Sequence, residues 1–147
     1  MKAIRGALLL AAILTAGCGD ELPTEPTNPA TSLSGTWRGN IAVSNSTAVM
    51  TWTLTQTGSA VTGPVVISLP SGVVLMNGTV AGTVAGTSLP FTATVPPGGI
   101  LSQPGCSGAI AGTSTVSSTM TINGTYSVAT STCTTGLVRG TFTLTRQ

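Results

Sequence analysis

Around Trp52 the chain alternates strictly. Ala48, Met50, Trp52 and Leu54 fall on one side, and Val49, Thr51, Thr53 and Thr55 on the other. A period of two is the mark of a β-strand with one buried face. Trp37, Gly39, Ile41 and Val43 repeat the pattern among polar neighbours. Further runs follow at 61–69, 73–83, 89–95, 109–116, 120–128 and 137–145. Pro64 weakens the middle of the third run and marks an edge or a bulge there. Helix formers such as Lys, Glu, Gln and Arg are almost absent, and β-branched residues dominate. The pattern therefore predicts about eight short strands separated by turn residues, an all-β sandwich or barrel.

A small unit recurs in these strands, Gly then Thr then usually an apolar residue, as in Gly35-Thr36-Trp37, Gly78-Thr79-Val80, Gly124-Thr125-Tyr126 and Gly140-Thr141-Phe142. The spacing is too irregular for a solenoid. Asn77-Gly78 and Asn123-Gly124 have hairpin-turn composition, yet alternation continues through both, so bulges or bends inside strands are expected.

The first residues follow a different pattern. Lys2 and Arg5 precede an apolar run, which ends in Leu14-Thr15-Ala16-Gly17-Cys18. This is the layout of an exported leader with small residues before the cut. The run is about half the ~20 residues that a membrane-spanning helix needs. With its terminal cysteine the segment resembles the lipobox of bacterial lipoproteins, although Thr15 stands where the family usually has Leu. The resemblance implies cleavage after Gly17, a diacylglyceryl group on the Cys18 sulfur and a third acyl chain on the new amino terminus. An ordinary secretory leader with an incidental Cys18 is the alternative. The expected organisation is a leader at 1–17, a lipidated cysteine and tether at 18–32 and one β-domain at 33–147. Gly19 lacks the Asp that often holds lipoproteins at the inner membrane, so an exported protein on the outer membrane of a bacterial envelope is expected. The tether contains Pro23, Pro26 and Pro29 among Thr, Glu and Asn, and such a stretch cannot build a core.

Charge is concentrated at the same end. All three acids, Asp20, Glu21 and Glu25, lie in the tether, and from Pro26 to Gln147 there is no Asp, Glu, His or Lys. Loss of Lys2 and Arg5 would leave Arg38, Arg139 and Arg146 facing three acids, a formal charge of zero. Phosphate binding needs clustered Lys or Arg, so a nucleic-acid partner is not expected. General acid–base chemistry needs a side chain that exchanges protons near working pH, and a Ser or Thr nucleophile needs a base beside it. The β-domain has many hydroxyls and no such base, so no enzyme, no metal and no cofactor is expected. Low charge also weakens mutual repulsion, which favours self-association.

Beyond Cys18 only Cys106 and Cys133 remain, and in an exported chain a bridge between them is expected, free buried thiols being the alternative. If the runs at 109–116 and 120–128 form a hairpin, both cysteines emerge at one end. The bridge then staples the long loop after Pro96 to the connection before the last strand.

Leu33-Ser34-Gly35-Thr36-Trp37 followed by a β-meander resembles the opening of lipocalin-like and avidin-like barrels. Those families start their first strand with Gly-x-Trp and carry an Arg on the last strand beside that Trp. The resemblance implies an up-and-down barrel of about eight strands, closed by Trp37 and Arg146, with an Ig-like sandwich as the alternative architecture. The avidin-type biotin site does not carry over, because the domain has only Trp37 and Trp52 and no acid. Met50, Trp52, Leu54, Met76, Phe91, Met120 and Tyr126 are expected simply to fill the core; the alternative is that they line a site for a small apolar ligand. The Thr-x-Thr runs at 51–55 and 141–145 resemble flat ice-binding arrays, a likeness that a twisted barrel would spoil. An integral outer-membrane barrel would show aromatic girdles, and aromatics are 3% of this chain.

Overall fold

The computed structural model describes residues 32–43, 46–117, 120–134 and 138–147. The leader, Cys18 and nearly all of the tether lie outside the described residues. Eight strands follow one another: β1 (Gly35–Val43), β2 (Ser46–Thr57), β3 (Ala60–Ser68), β4 (Val74–Thr83), β5 (Ser88–Val95), β6 (Gly108–Val116), β7 (Thr121–Ser131) and β8 (Arg139–Arg146). Each pairs antiparallel with the next, and β8 returns to β1, closing an up-and-down barrel. Two packed sheets would leave β1 and β8 apart, so the sandwich alternative does not hold.

Alternation decides which face turns inward. Trp37 and Ile41 of β1, Met50, Trp52 and Leu54 of β2, Leu89, Phe91, Ala93 and Val95 of β5, and Phe142 and Leu144 of β8 are all buried. Their neighbours Thr51, Thr53, Thr92, Thr94, Thr141 and Thr143 face outward. An apolar interior under a threonine exterior is the reverse of a barrel that spans a bilayer. The curvature of the closed sheet also removes the flatness that an ice-binding array requires.

The barrel is filled at mid-height. Trp52, Phe91 and Phe142 form a three-ring cluster with centroids 5.1, 5.2 and 5.5 Å apart. Each such pair contributes about 0.5–1.5 kcal/mol beyond its burial. Three large rings fit because glycines face them across the sheet. Gly112 pairs with Phe91, and Gly124 with Phe142. A Cβ at Gly112 would lie 2.7 Å from the Phe91 ring and one at Gly124 would lie 2.5 Å from the Phe142 ring.

These in-strand glycines are therefore not bulges. The register shifts fall elsewhere, at Ile67/Ser68 and at Ala109/Ile110. Gly78 and Gly124 lie inside β4 and β7, as continuous alternation requires. Pro64 marks neither an edge nor a bulge. It pairs with Thr79 on β4, while the β2–β3 ladder passes from Trp52–Val65 to Thr55–Thr62 without a change of register. A residue lacking an N–H leaves a gap in one ladder without displacing it.

Up-and-down connection sends alternate loops to opposite poles. Leu33, the turns at 58–59 and 84–87, Ser117, Met120 and the end of β8 lie at one pole. The end of β1, the start of β2, the connections at 69–73 and 96–107, Cys133 and Val138 lie at the other.

Candidate functional site

The pole that bears Leu33 is sealed. Leu33 is buried, its N–H donates to Gln56 Oε1 (2.7 Å) and its carbonyl accepts from Trp37 Nε1 (2.8 Å). Ser34 Oγ accepts from the Gln56 N–H at 2.9 Å, so the entering segment is laced to β2 from both sides. Arg146 stands opposite Trp37 in the β1–β8 register, with its guanidinium carbon 5.9 Å from the indole centroid. Its Nη2 donates to Ser34 O (2.6 Å) and its Nη1 to Ser32 O (3.2 Å). Below these groups Leu89, Ile122 and Leu144 are fully buried.

The opposite pole is open and apolar. The 96–107 loop crosses the barrel mouth. It is pinned by an antiparallel bridge between Ile100 and Met76 and by the Asn77 N–H donating to Gly99 O at 2.7 Å. The expected disulfide is present, with Cys106 and Cys133 Cα atoms 5.0 Å apart, and it ties this loop to the β7–β8 connection. Gln103 Oε1 adds to that tie, accepting from the Thr134 N–H (2.9 Å) and Oγ1 (3.0 Å).

The crossing loop divides the mouth in two. One cavity of about 540 Å³ lies toward β3 and β4, among Val43, Ile67, Leu75 and Leu101. The other, of about 280 Å³, lies toward β6 and β7, among Val95, Ile110, Val128 and Val138. Met76 and Ile100 form the wall they share. Both volumes are in or near the range of small-molecule sites, which are mostly apolar with a few polar groups. Here the polar groups are Ser102 and Gln103 in one, and Thr130, Ser131 and Thr134 in the other. Among the described residues, neither cavity is lined by a charged side chain.

Every large hydrophobic side chain that is exposed among the described residues rings this mouth. Leu69 and Val73 stand on the β3–β4 connection, Leu75 at the start of β4, Leu101 on the crossing loop and Val138 before β8, and the last two are 62% and 67% exposed. Scattered exposed apolar residues are ordinary, whereas their gathering at one pole beside two cavities calls for a reason.

The residues singled out as ligand lining divide between two places. Met50, Trp52, Phe91 and Tyr126 border a cavity of only about 10 Å³ at mid-barrel, and Leu54 is buried in the same core. Met120 sits at the sealed pole, half-buried, with its sulfur 3.8 Å from Arg146 Nη1. Met76 alone reaches the mouth, and it also borders the inner cavity. Sequence reasoning missed Ile100, Leu101, Leu69, Val73 and Val138. Their signal lay in the connections at 69–73 and 96–107, which carry Leu69, Val73, Ile100 and Leu101, and in Val138 just before β8.

Tyr126 donates its hydroxyl to Ala42 O at 2.5 Å, and burial pushes its pKa above the ordinary 10.0. It is thus a neutral structural donor. Family models, curated proteins and solved structures were all compared with this chain, and none matches.

Proposed function

We propose that this chain is an exported, lipid-anchored envelope protein whose lipocalin-like barrel binds a small apolar ligand without transforming it. The observation that carries the ligand is the uncharged mouth, with two adjoining cavities walled by Met76 and Ile100 and ringed by exposed Leu and Val. The lipobox at Cys18 supports the anchor. The described chain enters at the sealed pole, so a tether from Cys18 presents the mouth away from the anchoring membrane. Lack of catalysis is read from the sequence, because no His, Asp, Glu or Lys lies between Pro26 and Gln147 to move a proton.

The test is native mass spectrometry of the protein purified from its own envelope. The expected result is an adduct of one neutral small molecule that Met76→Trp, which fills the shared wall, reduces severalfold. Empty protein that also fails to take up an added apolar dye would overturn the ligand reading. A second reading is an interaction module that covers the same ring with a protein surface, and the ring's exposure favours it equally. It predicts that Leu101→Asp and Val138→Asp abolish a complex while leaving small-molecule uptake unchanged.

A further inference from the structure

The barrel contains one unexplained polar atom. Among the described residues, Trp52 Nε1 is the only buried side-chain nitrogen or oxygen without a hydrogen-bond partner. Buried donors are nearly always satisfied, so an exception calls for a physical reason. The other indole, Trp37, shows the ordinary state, since it donates to Leu33 O. Trp52 is as deeply buried as Trp37, so bulk solvent does not serve it.

An enclosed water is poorly accommodated there. The inner cavity that Trp52 borders measures about 10 Å³, at the lower limit for one water molecule. A buried water also needs two to four polar partners. Tyr126 is the only other side chain there with a hydroxyl or N–H group; its proton is committed to Ala42 O, so only its oxygen is left to accept, and a water would meet at most the minimum of two side-chain partners. The remaining walls are aliphatic, aromatic or thioether.

The inner cavity lies directly beneath the mouth. Met76 borders all three spaces, while Ile67 is shared with the larger mouth cavity and Ile110 with the smaller. An unbranched thioether side chain adjusts its rotamer readily, and it is the softest part of this floor. Rotation of Met76 would join the inner cavity to the mouth and open a path to the indole.

We propose that Trp52 is a ligand-binding residue, whose Nε1–H donates to the single acceptor oxygen of a neutral, slender apolar molecule entering past Met76. This rests on the apolar-ligand reading above and deepens it. Ketones, aldehydes, esters and ethers carry such an oxygen. A carboxylate does not fit, because no positive side chain lines the path and an unpaired buried charge is strongly disfavoured.

The probes are 2-octanone, n-octane and octanoate, added to the full chain carrying Cys18→Ala, a change that leaves every described residue intact. Two indole N–H signals are present in a ¹⁵N-correlated spectrum, one from each tryptophan. The expected result is a downfield shift of the Trp52 signal with 2-octanone but not with n-octane, and no binding of octanoate. Trp52→Phe should weaken 2-octanone about tenfold and n-octane less than twofold. Binding of both neutral probes with an unmoved Trp52 signal, or an equal loss of both in Trp52→Phe, overturns the assignment and leaves the mouth standing. Binding of neither probe overturns the mouth and this inference together. Should Trp52→Phe fail to fold, the indole shift in the tryptophan-intact protein decides alone.

Discussion

Tyr126 sets the pH behaviour of the whole barrel, because the described domain has almost nothing else that titrates. Its hydroxyl donates to Ala42 O, and its pKa is raised by burial. A raised acid in the folded state means that the neutral form is the stabilised one. Its contribution is therefore complete below the unfolded-state pKa near 10 and is lost as pH climbs through the higher folded value. Urea midpoints of the domain should stay level from mildly acidic to mildly alkaline pH and fall only above about pH 10. Tyr126→Phe should cost about 1 kcal/mol at neutral pH, the worth of one hydrogen bond, and should flatten the alkaline fall. A midpoint that drops between pH 4 and 8 would show that another group controls stability.

At the scale of elements, the staple between the crossing loop and the β7–β8 connection acts on the mouth more than on the barrel. The bridge spans 27 residues, and its closure contributes about 3.5 kcal/mol in the chain-entropy model. Cys106→Ala with Cys133→Ala should lower unfolding free energy by about that amount while the sheet remains intact by circular dichroism. Amide exchange should quicken in the 96–107 loop and leave β1, β2 and β8 protected. Uniform quickening across all strands would contradict this division. The strands themselves were legible in the sequence, since Met50-Trp52-Leu54 and Phe142-Leu144 keep a period of two that survives any local irregularity. What was not legible depends on partners across the sheet. Gly124 read as a bend because nothing local discloses that Phe142 points at it. Pro64 read as a disruption because a single strand does not disclose which of its two ladders loses a bond. The mouth was missed for the same reason, its residues belonging to loops that meet only after closure.

At the scale of the molecule, two poles differ in chemistry. One is laced shut around Leu33, Trp37 and Arg146, and the other is an uncharged apolar opening. The lipid reading of Cys18 gives that polarity a direction, with the sealed pole toward the bilayer. Labelled palmitate should enter the wild-type chain and not Cys18→Ala, and the variant should leave the membrane fraction. Equal labelling of both would remove the anchor and leave the barrel undirected. The neutral threonine exterior follows from closure as well. A ring of strands leaves no edge strand, so the charged side chains that guard exposed edges in open sheets are not required.

That safeguard exists only once the circle is complete. Trp37 faces Arg146 and Ile41 faces Phe142, so the earliest and latest segments of the domain must meet before either is protected. Until β8 is in place, an unfinished barrel carries two unpaired edges and few charges along its strands to keep copies apart. Escorting factors that hold the unfinished chain, rather than the finished barrel's own stability, would then govern how much of it reaches its destination.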